Sequence, residues 1–421
     1  MKQNFFRIVA DLRFAIFILL LISLCSIIGT IIEQEQLIEF YKQNYPVTNP
    51  LFNFLSWDKI LFFGFDHIYK TWWFFILIVI FGISLVTCTF LQQVPSVKIA
   101  RRCQFLRTTK PFNKLQRSTN LNNEKFNNII ARLKFKNYSL FHQKNLIYCY
   151  KGLIGRITPI IVHFSMILIL LGTLIGSLGG FKAQELVPKT EVFHIQNLFN
   201  YGRLTSVPNI SGRINDFWIN YTSQRTISQF YSDVSILDIN GNEIIQETTF
   251  VNSPIIYNNI YFYQTDWNLI GIRIKYMTDQ IIEYPLVNQS NATNKLWLTW
   301  VSNNTDLTNG IIGIIDNLQG YCSLYSSEGS FLGNIELNET LDNQNQFQLI
   351  EILSSTGLQI KTDPGIPFIY TGFLFLMIST LISYATYSQI WMLQNTEQIL
   401  IGGNTTRAIF EFELEFFNFI K

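Results

Sequence analysis

Histidine and cysteine are the side chains here that could hold a metal or carry redox chemistry, and the chain has few: four His and five Cys in 421 residues. The cysteines stand alone. Cys25, Cys88, Cys103, Cys149 and Cys322 form no C-x-x-C pair, and none begins the C-x-x-C-H pattern that anchors haem covalently. The sequence therefore offers no dithiol centre, no zinc knuckle and no covalently held haem of its own. Cys25 and Cys88, inside apolar runs, read as packing residues. His163 is different. It lies in RITPIIVHFSMILILLGTLIGSLGGF, residues 156–181, a run apolar enough for lipid. An ionisable side chain is costly there, and such residues face protein or a polar cavity and mark function.

Thr158 and Pro159 suit the N-cap and first-turn positions, so the sequence predicts a helix beginning at Pro159, with His163 about 6 Å inside it. Gly172-x-x-x-Gly176 puts two glycines on one helix face, open to close approach by another helix or a flat ligand. These features suit a planar cofactor with an axial nitrogen ligand, haem first, because neutral imidazole is its usual protein ligand. A histidine hydrogen-bonded to a neighbouring helix accounts for the same residues. His67, in GFDHIYKTWWFF, reads either as a second ligand on the opposite side or as an exposed loop residue. His194 is a further ligand candidate at the mouth of the His163 run, and His142 reads as a surface residue. Arg13 would snorkel to the membrane surface or pair with a haem propionate.

The elements that must position these groups are membrane elements. The chain is 48% hydrophobic and only 14% charged, where a soluble domain carries about a quarter charged residues. Four runs are long enough to span a bilayer: 14–32, 72–91, 159–180 and 366–388. The first is followed by EQEQ rather than a small-residue cleavage site, so it reads as a retained span. The fold class expected is an α-helical integral membrane protein of four transmembrane helices with a large β-rich domain, sandwich- or barrel-like, on the lumenal or periplasmic side.

Charge sets the orientation. Residues 92–158 carry fourteen basic side chains against one acid, Glu124. Positive charge stays on the side of synthesis, which places 1–13, 92–158 and the tail 389–421 inside. The loop 33–71 and the segment 181–365 then lie outside. That last segment carries roughly twice as many acids as bases, counted from the sequence, and alternates apolar with polar residues. Asn240-Gly241 is a hairpin signal within it, and IRIKYM, LWLTW, IIGIID, CSLYS and FQLIEIL read as further strands. The basic loop 92–158 has interleaved aromatics, consistent with attraction to anionic lipid and a short αβ substructure at the membrane surface. The richness in Asn, Ile and Lys hints at an AT-rich coding genome.

Several stretches together resemble the ResB-like cytochrome c biogenesis proteins, in order along nearly the whole chain. They are DLRFAIFILLLISLCSIIGTIIEQ, TWWFFILIVIFGISLVTC, VHFSMILILLGTLIGSLGGF, VNSPIIYNNIYFYQTDW, DPGIPFIYTGFLFLMISTLISYATYSQIW and IGGNTTRAIFEFEL. The plastid form, acting in System II, is the nearest fit. The resemblance implies a partner, the multi-span protein CcsA, with a tryptophan-rich haem-binding segment. It implies that the pair moves non-covalently held haem b across the thylakoid membrane, keeps its iron reduced and presents it to apocytochrome c for thioether formation. Thiol-reducing proteins of the membrane or lumen would assist, and this chain would have no catalytic site of its own. His163 stands at the family's histidine, as an axial ligand where haem enters the membrane. The family often has a histidine after the tyrosine preceding span two, whereas here Lys70 follows Tyr69 and the nearby histidine is His67. Tyr263 and Trp267 read as core residues or as part of an apocytochrome-facing surface. Asp363-Pro364-Gly365 reads as a turn, and Arg407 as a membrane-surface anchor. Two other classes fit the architecture: a membrane sensor with an outer β ligand-binding domain, and a small-molecule transporter using the histidine as a proton relay.

Overall fold

The computed structural model describes the chain except residues 1, 37, 49, 52–53, 123–125, 224–225, 277–279, 290–295, 303–309, 317, 319, 341–346, 396–397 and 421, together with the side chains of 2–5. It divides into two compact units, residues 1–175 with 365–421, and residues 176–364.

The first unit is built on apolar helices. Leu12–Ile31 is capped by Asp11, whose side chain accepts from the Arg13 N–H. Trp72 opens a second helix that continues unbroken to Arg101, longer than the span expected at 72–91. Its regular part, Trp72–Cys88, passes into a five-residue π-helical segment, Thr89–Gln93, before resuming. The third helix is Ile154–Gly179. These three are long and apolar enough to cross a bilayer, so the protein is an integral membrane protein. The fourth apolar helix, Ile366–Ile382, has 17 residues. It ends before the expected 388, because Ser388 already belongs to a strand.

The third helix starts earlier than the cap signals predict. Pro159 lies inside it, and the Thr158 hydroxyl, rather than capping, donates to the Ile154 carbonyl at 2.8 Å. The true start is fixed by packing. Gly152 turns the chain at φ +76°, and both it and Gly155 lie against backbone carbonyls at Thr386 and Ala385, where a Cβ would not fit. His163 is therefore the tenth residue of the helix, about 14 Å along it from Ile154.

The Gly172 position is filled by another helix rather than a ligand. A Cβ there would meet Ile369 Cγ1 at 2.7 Å, and one on Gly372 would meet the Ile169 N at 3.1 Å. Third and fourth helices thus approach through reciprocal glycines. A separate apolar cluster of Ile18, Phe81 and Leu85, with Met166, Ile167 and Leu170 against it, joins the first three helices.

The segments read as a basic loop and a tail form one αβ substructure. Five antiparallel strands run in the order Arg117–Asn122, Gln398–Thr405, Ser388–Gln394, Leu146–Lys151, Ser139–Gln143. Helices Phe126–Phe135 and Ile409–Ile420 bury Ile129, Leu133, Phe412, Phe416 and Phe419 against Ile147, Cys149, Ile390 and Ile401 on this sheet. Burial there pushes the Cys149 thiol up to about 12.

Beyond the end of the third helix at Gly179, the regular structure of the second unit is β among the described residues. A six-stranded sheet centres on two long strands, Ile260–Tyr276 and Phe347–Thr362, and a four-stranded and a five-stranded sheet accompany it. One core cluster joins Phe262 and Leu358 of the first sheet to Ile214, Val234 and Ile236 of the second. The other joins Trp267 and Ile272 to Trp297, Val301 and Leu324 of the third. Face-to-face sheets with apolar residues between them make this a sandwich-type arrangement. The Asn240-Gly241 hairpin forms as expected: Asp238 Oδ1 accepts from the Asn240 and Asn242 N–H groups, and Gly241 takes φ +82°.

Candidate functional site

His163 is half-buried on the third helix, and its Nδ1 lies 2.9 Å from the hydroxyl oxygen of Thr89. Thr89 is the first residue of the π-helical segment, and its hydroxyl donates to the Leu85 carbonyl at 2.7 Å. Polar residues of the same helix tie down the break before the first helix. Ser84 Oγ donates to the Val9 carbonyl at 2.7 Å, and Gln92 Nε2 to the Ala10 carbonyl at 2.7 Å. Of the two readings of His163 left open by the sequence, the bond to a neighbouring helix is present, and among the described residues it uses Nδ1.

Two residues before Thr158, Arg156 Nη1 donates to Ser96 Oγ at 3.2 Å and its guanidinium lies 5.2 Å from the Tyr387 ring centroid. Tyr387 in turn donates to the Ala100 carbonyl at 2.9 Å. Burial, with the adjoining Tyr148 hydroxyl next, holds the Tyr387 phenol well above its usual range. This network secures the start of the third helix. Nothing in the local sequence signalled it, because its members are separated by up to 287 residues.

His67 lies in a different setting. Its Nδ1 pairs with Asp66 Oδ2 at 2.8 Å, and the side chain is 46% exposed. The loop is closed by Gln34, which donates to the Phe65 carbonyl and accepts from the Ile68 N–H, and by a Lys70–Glu35 ion pair at 2.9 Å. His67 precedes Trp72, while His163 meets Thr89, 17 residues further along the same helix; the two imidazoles are therefore separated by about 26 Å of helix. They cannot share one iron. His194 ends the short strand Val192–His194 in the second unit and is exposed. His142 lies in the strand Ser139–Gln143 and is also exposed. Arg13 is exposed, and its side chain forms no ion pair among the described residues. Arg407 Nη1 donates to the Ser383 carbonyl at 3.0 Å, closing the C-terminal end of the fourth helix.

In the second unit a cavity of about 380 Å³ is lined by Tyr263, Trp267, Phe230, Gln359 and Lys361. Trp267 is a core residue, its ring centroid 5.1 Å from that of Trp297, whereas Tyr263 is half-buried beneath the Lys361 ammonium at 4.5 Å. Gln264 is buried below, accepting from the Ser232 and Thr356 hydroxyls. The register shift between Gln264 and Asp266 that shapes this wall is a bulge, which alternation in the sequence does not reveal.

Among the described residues no three His, Cys, Asp or Glu side chains gather as a metal centre. The donor set instead fits a cargo that brings its own equatorial ligands and needs one nitrogen from this chain, as haem does.

The ResB-like family profile matches residues 12–309 and 319–417. The chain is 64% identical over 421 residues to "Cytochrome c biogenesis protein Ccs1" of Phaeodactylum tricornutum, covering 100% of both chains. It is 65% identical over 421 residues to the protein of the same name from Thalassiosira pseudonana, again covering 100% of both. It is 43% identical over 431 residues to "Cytochrome c biogenesis protein CcsB" of Crocosphaera subtropica, covering 100% of this chain and 95% of that one. The solved structure "Cytochrome c Heme Lyase CcmF" aligns over 74% of this chain and 30% of its own, at 8% identity and a TM-score of 0.25; a likeness that low bears on neither fold nor chemistry. With its profile match over most of its length and its curated relatives aligned end to end, the chain belongs to the ResB-like family.

Proposed function

We propose that this chain is a c-type cytochrome biogenesis factor that, with a CcsA-like multi-span partner, carries haem b across a plastid thylakoid membrane and presents it to apocytochrome c. In this reading the short fourth helix also spans, at about 26 Å, and gives four transmembrane helices. Residues 92–158 and the C-terminal strands face the stroma, and the β unit faces the lumen. The observation that carries the proposal is the half-buried imidazole of His163, tied by Nδ1 to Thr89 within the apolar helices.

The names of the aligned relatives support the pathway, and the charge asymmetry supports the orientation. His163 would hold the iron non-covalently near the stromal side. Haem, when bound, supplies the vinyl groups that become thioethers. His67, at the far end of the second helix, would be a separate outer station rather than the second ligand of the same iron. Any further ligand that haem takes at either station would come from the partner chain. The β unit, with a cavity walled by Tyr263, Trp267 and Lys361, would provide the surface for apocytochrome c.

The test is deletion of the chain in its own plastid. Apocytochrome c should still reach the lumen but lack covalent haem on a haem-stained gel. Normal c-type cytochromes in the deletion strain would refute the assignment.

A further inference from the structure

The hydrogen-bond arithmetic around His163 fixes more than its position. A threonine hydroxyl has one proton. That of Thr89 goes to the Leu85 carbonyl at 2.7 Å, so its oxygen can only accept from the imidazole nitrogen 2.9 Å away. Nδ1 must therefore carry the ring proton, and the lone pair is left on Nε2. Thr89 opens the π-helical segment, and such irregular turns interrupt α-helices frequently at functional sites.

We propose that Thr89 is a positioning residue for this site: its hydroxyl holds His163 in the Nδ1-protonated tautomer and so presents Nε2 as the nitrogen that takes haem iron. The inference rests on the reading of His163 as a haem ligand. It assigns to an uncharged hydroxyl the part that a carboxylate or carbonyl usually plays behind a metal-bound histidine. Inside lipid a hydroxyl suits that part, because a second ionisable group would add its own burial cost.

The experiment uses the full chain co-purified with its haem-lyase partner, stripped of haem and titrated with haemin under reducing conditions, with binding read from the Soret band. Thr89→Val, which keeps the shape and removes the acceptor, should weaken binding about tenfold. Thr89→Ser should restore it, and His163→Ala should abolish the inner-site signal. Wild-type binding by Thr89→Val, beside loss in His163→Ala, would overturn the inference and leave the ligand reading intact. Unchanged binding by His163→Ala would overturn both. Should Thr89→Val fail to accumulate, His163→Gly reads the same bond with Thr89 in place. Added imidazole, which can donate to Thr89, should restore the Soret band at lower concentration than 1-methylimidazole, which cannot. Equal rescue by the two would count against the inference.

Discussion

The two histidines beside the second helix are held in opposite ways. His67 sits in a polar loop, half exposed, with the carboxylate of Asp66 on its Nδ1. His163 sits within an apolar helix, half-buried, with the hydroxyl of Thr89 on its Nδ1. In water-facing surroundings a charged partner can be tolerated, and it orients the imidazole. In lipid the same orientation is achieved without charge. Each arrangement leaves Nε2 clear of that partner, one imidazole just before the second helix and the other facing its π-helical segment.

The largest effect expected from breaking this comparison is on the inner member. His163→Ala should leave the plastid without covalently haem-bearing c-type cytochromes on haem-stained gels, whereas His67→Ala should retain a substantial fraction. Equal loss in both would mean that the two positions are not distinct stations. Sidedness sharpens the contrast next. Cys103 is exposed within the basic segment, whereas Cys149 and Cys322 are buried, their thiols pushed up to about 12. At pH 8 a membrane-impermeant maleimide should label Cys103 from the stromal face only and leave Cys149 and Cys322 unreacted, because the thiolate is the reactive form. Labelling of Cys103 from the lumen would invert the topology.

A smaller effect should follow from Gly172→Leu, which drives a side chain into Ile369 and the Gly365 carbonyl. Overpacking of this kind costs about 1–3 kcal/mol and should lower the amount of chain in the membrane, measured by immunoblot. Asp66→Asn should do least. It keeps an acceptor for His67 but removes the charge, so haem retention at the outer station should fall by about tenfold at most, with the inner-site Soret band unchanged.

Much of the architecture was legible in the sequence because it rests on short-range patterns. Apolar runs announced the helices, and alternation announced strands such as Trp297–Ser302 and Gly310–Ile315. The start of the third helix was misplaced because Thr158-Pro159 imitates a cap, while the real determinant is the packing of Gly152 and Gly155 on residues 385–386. The sheet that unites the basic segment with the C-terminal strands was hidden for a related reason. Its register pairs Ile390 with Cys149 and Ser118 with Gly402, contacts that no local pattern encodes. His163 stood out as an ionisable residue in lipid. Thr89 did not, because threonine near a helix end is unremarkable until the imidazole opposite it is known.

The most direct test of the account is the visible spectrum of the complex purified with its partner, wild type against His163→Gly, before and after addition of imidazole. The account predicts an inner-site haem band in the wild type, its loss in the variant and its return with the free ligand. A variant whose spectrum and haem content match the wild type without added imidazole would contradict it.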